Sequence, residues 1–227
     1  RMRIPLALAL FAGVAGPVAS VAAQGPARLR FAVSFPAERS AGAIDGRLLL
    51  MISADTTGEP RTRVSGTVTT AQVFGVDVDG WKPGETRYVD ASAFGYPLRS
   101  VGQLKPGRYR VQAMINRYAT FTRSDGHTVK LPPDKWEGQQ FASKPGNLYS
   151  PPVNLLLDPA SAAPVRLTLD QEIPPIPDFK LKETKYVKYV RIKSDLLTKF
   201  WGRDMFLGAW VLLPEGFDAH PDARYPL

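Results

Sequence analysis

A mainly β fold is predicted by three features of this 227-residue chain. Apolar residues recur with period two or in short runs, which is the spacing of strands. Turn formers are abundant, with 19 glycines and 21 prolines, a content that suits a loop-rich β domain better than a helical one. No segment offers a capped amphipathic helix of about twelve residues or more.

Each strand expectation rests on its own residues. Leu29 to Phe35 (LRFAVSF) alternates. Arg47 to Ser53 (RLLLMIS) is a run of about seven residues that fits a buried strand. Thr67 to Val78 is rich in Thr, Val and Phe, and Arg108 to Ile115 (RYRVQAMI) alternates most clearly of all. Asn154 to Leu157 and Val165 to Leu169 complete the set. Between them stand Asp55-Thr56-Thr57-Gly58, Asp79-Gly80, Lys82-Pro83-Gly84, Lys105-Pro106-Gly107 and Ser124-Asp125-Gly126. In such turns Pro presets φ and Gly supplies positive φ. Residues 28–170 therefore read as one immunoglobulin-like antiparallel β-sandwich of about seven strands. Val129 to Pro152 reads as a long irregular loop, functional or packed over a sheet edge. Ile173-Pro174-Pro175-Ile176-Pro177 marks a stiff proline-rich linker, placed at 171–184.

The first 23 residues read as a secretion signal. Arg1 and Arg3 precede an apolar stretch from Ile4 to Val18, and Val21-Ala22-Ala23 suits cleavage before Gln24. Pro5, Gly13, Gly16 and Pro17 interrupt that stretch, which is shorter than the ~20 residues of a membrane span. The expectation is an exported protein, periplasmic or extracellular, with no stable membrane anchor. Zero cysteines exclude disulfides, thiol chemistry and Cys-ligated metals. The net charge of +8 is spread along the chain. It forms no dense stripe or nucleic-acid motif, so no nucleic-acid partner is expected. Lys180, Lys182, Lys185, Lys188, Arg191 and Lys193 come nearest to one, and read as a solvated strand face.

Candidate site residues are few. Trp136, Tyr149 and Trp81, with Tyr88 and Tyr96, could build an aromatic platform for a carbohydrate or another small ligand. Packing is the competing role for each of them. His127 lies beside Ser124 and Asp125 in a turn, where adjacent residues rarely reach nucleophile–base geometry. His220 sits in the Asp218–Asp222 loop. Asp77-Val78-Asp79-Gly80 faintly resembles a calcium loop, but Glu85 and Asp90 stand at the wrong spacing, so a plain turn is expected. No cofactor or metal is expected.

Tyr186 to Lys193 (YVKYVRIK) and Met205 to Leu213 read as a hairpin. Ser194-Asp195-Leu196-Leu197, Gly202-Arg203-Asp204, Leu212-Leu213-Pro214-Glu215-Gly216-Phe217 and Arg224-Tyr225-Pro226-Leu227 follow in order. This pattern resembles the start of secreted esterases of the enterochelin-esterase and esterase D type, which are α/β-hydrolases. The segments Leu104–Ala113, Asp125–Leu131, Trp136–Gln139 and Gly146–Ser150 are similar to the N-terminal accessory region of some exported hydrolases. The resemblance implies that residues 185–227 are the first β-hairpin of an α/β-hydrolase domain, with the oxyanion HG loop and triad beyond Leu227. The implied nucleophile sits on a G-x-S-x-G elbow, and the chain contains none. No catalytic residue is therefore assigned. The expected function is a sandwich module plus the opening of an exported serine ester hydrolase, not catalytically competent by itself and partnered by the hydrolase domain in cis. The alternatives are a stand-alone exported binding module for a carbohydrate or envelope component, and a plain spacer. Residues 185–227 are too few to build a core of their own, since folding alone below about 40 residues usually needs metals or disulfides and this piece barely exceeds that. Loose docking or local disorder is expected there.

Overall fold

The structure is a computed structural model and describes residues 28–67, 69–133, 140–175, 182–220 and 222–225. The secretion signal expected at residues 1–23 therefore lies outside the described residues. The chain is mainly β. In order, the strands are β1 (Phe31–Ser34), β2 (Ile44–Ser53), β3 (Gln72–Trp81), β4 (Arg87–Val89), β5 (Phe94–Tyr96), β6 (Gly107–Arg117) and β7 (Ala119–Thr122). Then come β8 (Thr128–Leu131), β9 (Leu148–Tyr149), β10 (Val153–Leu157), β11 (Val165–Thr168), β12 (Gln171–Glu172), β13 (Val187–Lys193) and β14 (Phe206–Leu212). One α-helix, α1 (Asp195–Trp201), joins β13 to β14.

Two sheets enclose the main core, an arrangement consistent with a β-sandwich. The larger runs β12-β9-β6-β2-β3-β5, with β10 also on β6, and its pairs are antiparallel. The smaller runs β11-β1-β4, with β1 parallel to β11. Phe31 and Val33 of β1, Val89 of β4 and Leu167 of β11 meet Leu48, Leu50 and Ile52 of β2, Phe74 of β3 and Val111 of β6 in one cluster. That is period-two patterning put to work: alternate residues of each strand point inward.

The LLLMI run of β2 has a second use. Its other face carries Leu49 and Met51, which pack with Met114 and Ile173 under Val64, Val73, Phe141 and Tyr149. A continuous apolar strand is what a two-sided burial requires. Ile173 is part of this layer and β12 extends the sheet, so the packed unit runs past the boundary expected at residue 170. The expected loop at 129–152 is also partly ordered into β8, a 3-10 turn at Phe141–Ser143, and β9. The strand expected from Thr67 begins only at Gln72, because Thr70 folds its hydroxyl back on the Arg63 carbonyl (3.2 Å) and holds a turn.

Close packing makes some positions intolerant. Gly95 of β5 lies over Phe74, and a Cβ there would stand 2.3 Å from the Phe74 ring and 2.6 Å from the Leu98 carbonyl oxygen. Trp81 ends β3 with 0% exposure. Its ring meets Phe35 edge-on at 4.9 Å, and its Nε1 donates to the Glu85 carbonyl at 2.9 Å.

The β13–β14 hairpin behaves differently. None of the described residues from 182 onward is buried. Helix α1 starts at an N-cap, Ser194, whose Oγ accepts from the Leu197 N–H at 3.3 Å. It ends at Gly202 with φ of 66°, the left-handed stop that glycine favours. The helix also provides the attachment to the rest of the chain. Ser124 donates from its N–H and Oγ to the Phe200 carbonyl at 3.1 and 3.0 Å, Arg123 lies 4.6 Å over the Phe200 ring, and Phe121 faces Trp201 at 6.1 Å. These contacts come from Phe121 of β7 and from the turn that joins β7 to β8.

These packing differences predict unequal mutant costs. Trp81→Ala should lower unfolding free energy by about 3–5 kcal/mol in urea titration. Trp210→Ala, on the exposed hairpin, should cost about 1 kcal/mol or less.

Candidate functional site

At one end of the larger sheet three loops surround an open cleft of about 600 Å³. The first loop leaves β2 at Ser53, the second leads into β3 through Thr69 to Gln72, and the third spans Leu98 to Lys105 ahead of β6. Local hydrogen bonds shape all three. Ser53 Oγ accepts from the Asp55 N–H at 3.1 Å. Asp55 in turn accepts from the Thr57 N–H and hydroxyl at 2.9 and 2.7 Å, a side-chain-closed turn. Arg63 pairs with the other Asp55 oxygen and donates to the Thr57 hydroxyl at 3.1 Å. The Thr57 hydroxyl, then its N–H, then Arg63 hold the Asp55 carboxyl down at about 2, so it is ionised at neutral pH.

The third loop is tied to the second. Gln72 Oε1 accepts from the Leu98 N–H at 2.9 Å. Gln103 Oε1 accepts from the N–H groups of Arg99 and Ser100 at 2.9 and 3.2 Å, and Ser100 Oγ accepts from the Gly102 N–H at 3.2 Å, completing a capping box. Tyr109 donates its hydroxyl to the Lys105 carbonyl at 2.9 Å. The apolar lining comes from Ile52, Leu98, Leu104 and the Tyr109 ring.

Beside the cleft, a buried polar network fixes the 59–61 segment against the 140–150 loop. Gln112 is fully buried in β6. Its Oε1 accepts from the Arg61 N–H at 3.1 Å, and its Nε2 donates to the Ser150 carbonyl at 3.0 Å and to Glu59 at 3.2 Å. Arg61 also pairs with Glu59, donates to the Ala142 carbonyl and covers the Tyr149 ring at 4.5 Å. Burial pushes the Glu59 carboxyl up, but the hydrogen bonds from Arg61 and Gln112 outweigh it, leaving the group below its ordinary value.

The aromatic platform expected from the sequence is not brought together. Trp81 is a core residue with no face open to a ligand, so its candidacy as a ligand contact is withdrawn. Tyr149 is half-buried and has Arg61 across its ring. Tyr88 and Tyr96 are exposed, but they sit on different sheets. Trp136 lies outside the described residues. The histidine turn carries no nucleophile–base pair: His127 Nδ1 lies 3.2 Å from Asp125, while Ser124 gives its hydroxyl to Phe200. In the calcium-like turn the carboxylates are already matched by cations. Asp77 pairs with Arg47, and Lys130 reaches both Asp79 and Asp45. The Gly80 N–H donates to Asp45 at 2.7 Å and, ahead of Lys130, lowers that carboxyl. Among the described residues no group of three or more His, Asp or Glu could hold a metal ion, and no helix is long and apolar enough to cross a membrane.

Sequence reasoning passed over the cleft. Its residues, Ser, Thr, Gln and Lys in loops, are ordinary turn residues one by one, and only the fold gathers three separated loops at one sheet end. Comparison with protein-family models, curated proteins and solved structures finds no match to the chain.

Two outcomes test this geometry. Gln112→Ala strands the Arg61 N–H and the Ser150 carbonyl, and should cost about 2–4 kcal/mol by chemical denaturation. The folded Asp55 carboxyl lies below its ordinary 3.8, so its contribution is complete above that value and is lost as pH falls towards about 2. The Thr57 amide resonance should therefore titrate with a midpoint near 2, and should stop doing so in Asp55→Asn.

Proposed function

We propose that the chain supplies an immunoglobulin-like sandwich module and the opening hairpin of an exported serine ester hydrolase of the α/β class, with catalysis performed by the domain that covers that hairpin. The observation that carries this reading is β14. It is apolar on both faces yet lies open: Leu207, Trp210 and Leu212 are 55%, 41% and 75% exposed, and Ile192 of β13 is 59% exposed. A strand apolar on both faces belongs in a sheet covered on both sides, as in α/β domains. An isolated two-stranded ribbon is at best marginally stable in water. Both outer edges of the β13–β14 pair also stand without a further strand among the described residues, ready to extend a sheet. The Leu213-Pro214-Glu215-Gly216-Phe217 turn after β14, and the Tyr225-Pro226-Leu227 run that follows, carry the resemblance to α/β-hydrolases. On this reading the sandwich is an accessory unit, the export signal is residues 1–23, and the ester is cleaved through an acyl-enzyme on a serine outside this chain.

A second reading, a self-sufficient exported binding module, is favoured by the end cleft. One experiment separates the two. The genomic reading frame after Leu227 should continue into an HG loop, a G-x-S-x-G elbow and a later Asp and His. The 227-residue chain should leave p-nitrophenyl acetate intact, the longer product should hydrolyse it, and alanine at the elbow serine should abolish that activity. An immediate stop codon, or hydrolysis by the 227-residue chain alone, would sink the hydrolase reading.

A further inference from the structure

We propose that the cleft at the end of the larger sheet binds a small carboxylic acid with an apolar body. Size comes first: about 600 Å³ falls in the range of small-molecule sites, roughly 300–1,000 Å³. The division of hydrogen-bonding groups decides the chemistry. The side-chain amide oxygens of Gln72 and Gln103 are both spent on backbone N–H groups of the third loop. That fixes which way each amide points and leaves its NH₂ without a partner among the described residues. Lys105 adds an exposed ammonium that makes no ion pair among the described residues. The carboxylate of Asp55 is matched by Arg63 and Thr57, and the Tyr109 hydroxyl is turned away into the Lys105 carbonyl.

Among the amide and charged side chains of the lining, the unspent groups are thus donors, while the one carboxylate is already paired. Two basic residues, Arg63 and Lys105, line it against one acidic residue, Asp55. A sugar hydroxyl needs an acceptor as well as a donor. A carboxylate is acceptor-only and offers about four lone-pair sites. Charge-assisted bonds from Lys and amide donors to such a group are the stronger kind. The remainder of the lining, Ile52, Leu98, Leu104 and the Tyr109 ring, has no polar group to offer a ligand and suits a hydrocarbon body. Preorganisation helps too. The donors sit on loops already fixed by their own hydrogen bonds, so little ordering cost falls on binding.

The test uses the full chain and hexanoate, with 1-hexanol, glucose and inorganic phosphate as comparison probes, followed by amide NMR. Hexanoate should give saturable shifts at Ala54, Asp55, Ala71, Gln72 and Lys105, with 1-hexanol, glucose and phosphate each at least about tenfold weaker, as one charge-assisted bond is worth about 1.5–3 kcal/mol. Added salt should weaken hexanoate binding. Lys105→Met, at an exposed position and with an unchanged melting midpoint, should weaken it at least about tenfold. Absence of saturable shifts, equal binding of 1-hexanol or phosphate, preference for glucose, or Lys105→Met binding like the parent would each overturn the proposal. Its failure would leave the reading-frame test untouched, because the two rest on different residues.

Discussion

Strand β2 is hydrogen-bonded along both edges, to β3 and β6, and buried on both faces. Every other layer is placed by that constraint. Its even-numbered residues face the main core shared with β1, β4 and β11, and its odd-numbered residues face a second, smaller layer closed by Ile173 and the 140–149 segment. A strand with no solvent side cannot slip register, because a one-residue shift exchanges two unlike packing surfaces. The loop that leaves its C-terminal end at Ser53 is therefore anchored on a strand held on both edges and both faces.

Polar contacts fix the segments in and beside the cleft. Gln112 of β6 sits beside β2 and reaches Arg61, Glu59 and Ser150 from a fully buried position. A satisfied buried network of this kind specifies one arrangement, since any alternative leaves a donor or acceptor stranded in low dielectric. The third loop is fixed from two sides, by Gln72 to Leu98 and by Tyr109 to Lys105. The walls of the cleft are thus tied by their own hydrogen bonds, around a lining that mixes polar and apolar residues.

The hairpin at the other end of the chain lacks both supports. It is held by helix α1 against the β7–β8 turn, through Ser124, Arg123 and Phe121, and its strands bury nothing. Arg191 lies 3.7 Å over the Phe206 ring and Tyr189 packs on Trp210 at 4.9 Å, so the hairpin covers part of one face with its own side chains. The opposite face, with Val190, Ile192 and Leu207, has no such cover. This open ribbon stands in contrast to the doubly buried β2.

The sequence by itself determined the mainly β character, the principal strands and the turns between them, because period-two patterning and Gly/Pro chemistry act over a few residues. The run at Arg47–Ser53 marked a buried strand, and packing on both of its faces became visible only in the fold. The short strands β4, β5, β9 and β12 were not legible. Two or three residues carry no period, and these strands exist because a neighbouring edge offers hydrogen bonds. For Trp81 and Tyr149 the sequence left packing and ligand contact both open, because aromatic residues near turns look alike whether they face water or the core; the fold places Trp81 in the core. The cleft was decided by tertiary structure alone. Ser53, Gln72 and the loop that carries Gln103 and Lys105 are separated by long stretches of chain, and only antiparallel pairing around β2 and β6 brings them to one end of the sheet.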